Sequence, residues 1–174
     1  PTTLDLAREH VRESGEEGGV QLVRADALAL DERFAPGSFD YAHAGMFLHH
    51  LTDDDAVRVL RSMDRVASRG VVWNDLVRSP AALAFIRLAT IGKPRMVRHD
   101  SYVSVRAGFT KREAQTLADR AGLAYANHEW RLLTHRFTVA GEKPGAWIVD
   151  SPSDGDSGGP TAVRSSLPGP SGVG

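Results

Sequence analysis

Residues 19–51, GVQLVRADALALDERFAPGSFDYAHAGMFLHHL, constrain the fold more than any other stretch of this chain. A short apolar run ends in an acid, Asp26, and a polar loop containing Pro36-Gly37 follows. A second strand-like run over residues 39–44 leads into Gly45 and the pair His49-His50. Short apolar runs bounded by Gly and Pro, alternating with helical patterns, are the pattern of parallel strands in an α/β sheet. Ligands of such sheets bind at the carboxyl ends of the strands. Asp26, Ala27, Ala44 and Gly45 stand at those ends.

The rest of the chain keeps the alternation. Residues 2–13 read as a helix with Leu4, Ala7 and Val11 on one side, closed by the glycines between 15 and 19. Residues 20–25 form the first expected strand and residues 39–44 the second. Thr52 can cap a helix whose first turn, Asp53-Asp54-Asp55, suits the positive end of the helix dipole. Ala56, Val57, Leu60, Met63 and Val66 then repeat at helical spacing. Residues 70–76, GVVWNDL, predict a third strand, and residues 80–91 a helix stopped by Gly92-Lys93-Pro94. Residues 93–107 read as irregular and basic. Thr110-Lys111-Arg112-Glu113 is a capping box, and Gly122 provides the left-handed residue that ends the helix it opens. Residues 123–133 and 135–140 predict two closing strands joined by a tight turn. From residue 151 onward the composition turns to Gly, Pro and Ser without apolar periodicity, and residues 142–174 are expected as a tail that cannot offset the entropy of ordering.

Several side chains invite chemistry. Ala44, Gly45 and Met46 end a strand with small residues, which lets backbone approach a ligand. His49 and His50 are adjacent, and neighbours along a helix point apart, so they do not chelate a metal together. Either histidine has the chemistry of a base for a substrate hydroxyl. The same holds for His99, which sits beside Asp100 in the basic segment with Arg95 and Arg98. Asn74 ends the third strand, at the rim where side chains reach a substrate. Catalytic expectations therefore fall on His99 and His49, and pocket expectations on Met46, His50, Asn74, Arg95, Arg98 and Asp100. No metal site is expected.

Composition narrows the partners. The 174 residues carry 21 basic and 22 acidic side chains, so no global field attracts nucleic acid. With no cysteine there is neither a disulfide framework nor a thiolate metal site. No apolar run approaches the roughly 20 residues that span a bilayer, so a cytoplasmic location is the expectation. A dehydrogenase of the short-chain type needs Tyr and Lys four apart, which none of Tyr41, Tyr102 and Tyr125 provides, and the hydrolase elbow GxSxG is absent.

The order strand, Asp26-Ala27, loop, Pro36-Gly37-Ser38-Phe39-Asp40 strand and His49-His50-Leu51 resembles the class I S-adenosylmethionine-dependent methyltransferases, especially small-molecule enzymes of the ubiquinone-biosynthesis type. The resemblance implies a Rossmann-like, mostly parallel α/β sheet closed by an antiparallel hairpin, spanning residues 1–141. It implies S-adenosylmethionine as cofactor, with Asp26 accepting from the adenine amine, the Ala27 amide donating to the ring, and Ala44 and Gly45 beside the methionine part. The partner it implies is a small, hydrophobic acceptor. The family also opens on a glycine-rich turn and a second strand ending in a ribose-binding acid, and no GxGxG occurs here. The sequence is thus expected to be an N-terminally incomplete domain, inactive alone. Its two first strands, over residues 20–25 and 39–44, would flank the absent pair and not be direct neighbours. The competing expectation is a methyltransferase-like domain without activity, used for binding or assembly.

Overall fold

The structure, a computed structural model, describes residues 2–131 and 135–146. Helix α1 (Thr3–Ser14) starts at a capping box in which Thr2 and Asp5 satisfy each other's backbone amides, and Gly15 closes it in the left-handed conformation. A 3-10 turn (Ala27–Ala29) and the short α2 (Leu30–Arg33) lead to β1 (Phe39–Gly45). A second 3-10 turn (Leu48–His50) precedes α3 (Asp53–Val66), which is capped by the Thr52 hydroxyl as its sequence predicts. Then come β2 (Ala67–Leu76), α4 (Pro80–Ala89), α5 (Arg95–Ala107), α6 (Lys111–Ala121), β3 (Asn127–Arg131) and β4 (Arg136–Glu142).

The strands form one sheet in the order β1-β2-β4-β3. β1 and β2 run parallel, with Gly45 opposite Asn74, while β4 is antiparallel to both β2 and β3. This is an α/β architecture with a parallel unit and a closing hairpin; within the described sheet the parallel pairing is confined to β1 and β2. Helix α3 buries Val57, Leu60 and Met63 against the sheet and α6, whose Leu117 and Ala118 are equally buried. The core centres on Trp73 of β2 and Phe137 of β4, both fully buried and packed edge-to-face with ring centroids 4.9 Å apart. Phe109 and Trp130 extend this aromatic cluster. The β2–β4 pair is unusually close at one end: a Cβ on Gly70 would lie 2.2 Å from the Gly141 carbonyl oxygen.

Two expectations need correction. Residues 20–25 are not a strand; they pair with no other segment among the described residues, and Val20 and Val23 remain partly in water. Strand structure exists only where a neighbour takes up its amides and carbonyls, and the described sheet gives this run none. Residues 93–107, expected to be irregular, are mostly the regular helix α5. Every residue from 91 to 100 is exposed, so no core-facing stripe marks the start of this helix in the sequence. Contacts also continue beyond the domain end expected at residue 141. Lys143 donates to the carbonyl of Ala67 at 2.8 Å and pairs with Asp64 at 3.3 Å. The tail expected from residue 142 lies, from residue 147 onward, outside the described residues.

Removing the Phe137 ring leaves a cavity among Trp73, Phe109 and Trp130. Phe137→Ala should lower unfolding free energy by about 3–5 kcal/mol, read from urea denaturation. A loss below about 1 kcal/mol would mean that the cluster repacks around the gap.

Candidate functional site

The carboxyl ends of β1 and β2 meet at a tightly built corner. Met46, the residue after β1, takes a positive φ of 53°, rare for a side chain with a Cβ, and its amide donates to the Asn74 carbonyl at 2.9 Å. Gly45 precedes it because space is short: a Cβ there would stand 2.9 Å from Asn74 Oδ1 and 3.0 Å from the His43 ring. Backbone strain of this kind persists only where surroundings hold it, and such places cluster at ligand sites. Asn74 Oδ1 is itself buried and accepts no hydrogen bond among the described residues. A buried acceptor without a donor is costly, so it is either a strain reservoir or a contact awaiting a ligand.

One residue further along β2, Asp75 is completely buried. Its Oδ1 lies 2.6 Å from His49 Nδ1 and accepts from the Leu76 amide at 2.8 Å. Its Oδ2 accepts from the His49 amide at 3.3 Å and from Trp73 Nε1 at 3.4 Å. A carboxylate surrounded by four donors is fully satisfied and rigid. His49 is thereby anchored, with its ring only 3% exposed. His50, next to it, is exposed, and its ring lies tilted against that of His49 at 4.0 Å between centroids. The sequence places His49 and Asp75 26 residues apart, and no local pattern joins them.

The other expected site residues fall into two further groups. Asp26 caps the first 3-10 turn, one carboxylate oxygen accepting from the Leu28 amide at 3.0 Å. Ala27, which opens that turn, is half-buried and packs on the core beside Leu28 and Leu30. Arg95, Arg98 and His99 line a cleft of about 510 Å³ between α4 and α5 together with Arg87, Thr90 and Tyr102. Asp100 does not line this cleft and forms no hydrogen bond or ion pair with His99 among the described residues. Asn74 lines another cleft of about 510 Å³ with Arg131, Arg136 and Thr138. The participation of Arg87 and Tyr102 had no signal in the sequence, because it depends on how α4 packs on α5.

The two acids near the sheet therefore differ in what they hold. Asp75→Ala should cost about 3–5 kcal/mol of stability, since it leaves buried donors unpaired. Asp26→Ala, on an exposed turn, should stay within about 1 kcal/mol. Thermal and urea unfolding of both variants provides the check, and equal losses would show that the buried pair is not a structural tie.

Residues 1–70 match the family described as "Methyltransferase domain". No curated protein matches the sequence. Among solved structures, an O-methyltransferase family protein from Burkholderia thailandensis superposes with a TM-score of 0.59 at 18% identity, over 82% of this chain and 41% of that one. An S-adenosylmethionine-dependent methyltransferase from Aquifex aeolicus gives 0.54 at 13% identity, over 80% and 62%. Magnesium protoporphyrin IX methyltransferase from Synechocystis, with SAH bound, gives 0.52 at 10% identity, over 80% and 59%. The chain spans about two-fifths of the length of the Burkholderia protein. Fold over most of the chain is that of these solved methyltransferases, and the sequence match to a methyltransferase domain is confined to residues 1–70.

Proposed function

We propose that this chain is part of an enzyme that transfers a methyl group from S-adenosylmethionine to a small, largely apolar acceptor. The observation that carries this reading is the corner at the ends of β1 and β2. There Gly45 has no room for a side chain, Met46 is held in a left-handed conformation and Asn74 keeps a buried acceptor unpaired. Together they form backbone and amide surface prepared for a ligand, at the sheet edge where ligands of such folds bind.

The residues present fit the cofactor in part. Asp26 uses one carboxylate oxygen on its own turn and keeps capacity for an amine donor. The Ala27 amide belongs to the first turn of a helix, whose donors lack intrahelical partners. Asn74 Oδ1 suits an ammonium or hydroxyl donor. Bound S-adenosylmethionine would supply an electrophilic methyl on a sulfonium. Ala44 and Gly45 offer close backbone approach, and His50 and Met46 border the same corner. What the chain lacks is a GxGxG turn to cradle the rest of the molecule.

Orientation of the acceptor carries the rate in this proposal, because placing two reactants in line removes much of the barrier without a base. His49 is a positioning residue: Asp75 holds its Nδ1, and the pair fixes the turn that follows β1. His99 is the remaining candidate for a base. It is exposed on α5 and has neither a hydrogen-bond nor an ion-pair partner among the described residues to orient it. A methyltransferase-like domain used only for binding or assembly is the outcome if no transfer is found.

The 174-residue chain should show no calorimetrically measurable affinity for S-adenosylmethionine. Asp26 and Ala27 contribute about 0.5–1.5 kcal/mol per hydrogen bond, against an association cost of several kcal/mol. A longer protein that adds a glycine-rich turn should bind, and Asp26→Ala should weaken that binding about tenfold. Micromolar binding to the 174-residue chain would show that the glycine-rich turn is dispensable.

In that longer protein His99→Ala should leave turnover within a few fold. A fall of about 10²–10⁴-fold with unchanged cofactor affinity would instead make His99 the base.

A further inference from the structure

Residues 80–107 carry Arg87, Lys93, Arg95, Arg98 and Arg106 against the lone acid Asp100, whereas the whole chain has a net charge of −1. The positive charge is concentrated further by the fold. Arg87 from α4 and Arg95, Arg98 and His99 from α5 face one cleft of about 510 Å³, and no carboxylate lines it. Arg95 and Arg98 form no ion pair among the described residues, in contrast to Arg78, Arg120 and Arg65 elsewhere on the surface.

The cleft is also partly pre-set. Tyr102 donates its ring face to Arg87, whose guanidinium carbon sits 4.6 Å from the ring centroid, and Arg87 donates to the Tyr102 hydroxyl oxygen at 3.0 Å. Thr90, nearly buried, ties its hydroxyl to the Ile86 carbonyl at 2.7 Å and gives the cleft a fixed wall. A held guanidinium fork matches the two oxygens of a carboxylate or phosphate, and loses less freedom on binding than a free one. Large apolar side chains stand close by in sequence and exposed: Leu88, Ile91 and Met96 are each about two-thirds in water. Helix α5, which supplies Arg95, Arg98 and His99, packs against the turn Leu48–His50 that follows β1.

We infer that the cleft between α4 and α5 binds the anionic end, carboxylate or phosphate, of a small ligand with an apolar body. The link to methyl transfer rests on the function proposed above: the ligand would be the acceptor, held by its anion on α5 while its body lies toward the strand ends. The binding itself does not rest on that reading.

The test is a titration of the isotopically labelled 174-residue chain with benzoate, phenyl phosphate and neutral benzyl alcohol at constant ionic strength. It follows the Nε–H signals of the arginines. Benzoate or phenyl phosphate should give saturable shifts at Arg87, Arg95 and Arg98, and benzyl alcohol should give none. The double variant Arg95→Gln/Arg98→Gln should weaken binding at least tenfold. It replaces two exposed side chains, and circular dichroism verifies that its fold is kept. Shifts that never saturate, that include Arg58 and Arg112 equally, or that survive in the double variant would overturn the inference. A parallel sedimentation uses phosphatidylcholine vesicles with and without phosphatidylglycerol. Arginine-dependent capture by the anionic vesicles, with no response to either small anion, would make this surface a lipid dock and overturn the small-ligand reading. No S-adenosylmethionine is present, so the two proposals fail separately. Saturable anion binding without methyl transfer by the longer protein removes the function, and transfer without anion binding removes this cleft.

Discussion

The Asp75 carboxylate is the point on which the upper end of the sheet depends. It has left water entirely, a loss that only donors at hydrogen-bond distance can offset. It collects them from three directions: the indole of Trp73 on its own strand, the following amide of Leu76, and both the ring and amide of His49. The first two fix the end of β2 internally. The last two reach across to the turn after β1, so the parallel pair is tied by a side chain where its backbone ladder stops. The strained Met46, whose amide donates to the Asn74 carbonyl, and the crowded Gly45 lie beside these ties.

That tie sits against the aromatic core and shares a residue with it. Trp73 packs its ring on Phe109 and Phe137 while its indole N–H serves Asp75. Packing and polar satisfaction therefore reinforce one another, and neither Trp73 nor Asp75 can shift without disturbing both. Helices α3 and α6 hold this assembly from the side, joined to each other through Arg120 and Asp54 at 2.5 Å, while α3 also accepts the Tyr125 hydroxyl, from the turn before β3, on Asp64 at 2.6 Å. Burial and the Asp64 hydrogen bond both raise the Tyr125 phenol above its ordinary range, which keeps it a donor at any physiological pH.

Legibility in the sequence followed the range of the interactions. The Thr110–Glu113 capping box, the Gly122 stop, the Thr52 cap and the β2 strand are determined within a few residues, and all stand where local chemistry puts them. Residues 20–25 have the composition of a strand but lack the partner that would make them one. Helix α5 has ordinary helical residues without the buried stripe that makes a helix visible. At the site, Gly45 was legible from its lack of a side chain, and Asn74 from its place at a strand end. The His49–Asp75 tie and the joining of Arg87 with Arg95 and Arg98 were not, since each needs two separate elements to be brought together.

The close contact between Gly70 and Gly141 has a bearing on which sheet this chain can form at all. In the observed register Gly70 stands opposite Glu142 and Val71 opposite Gly141. A slip by one residue would turn every side chain of β2 to the other face. It would also carry Arg69 or Val71 to a place where even a methyl group meets the Gly141 carbonyl at 2.2 Å. The two glycines thus behave as a key cut for one alignment. They add no attraction of their own, yet they exclude the neighbouring pairings that an apolar strand would otherwise sample while the hairpin closes.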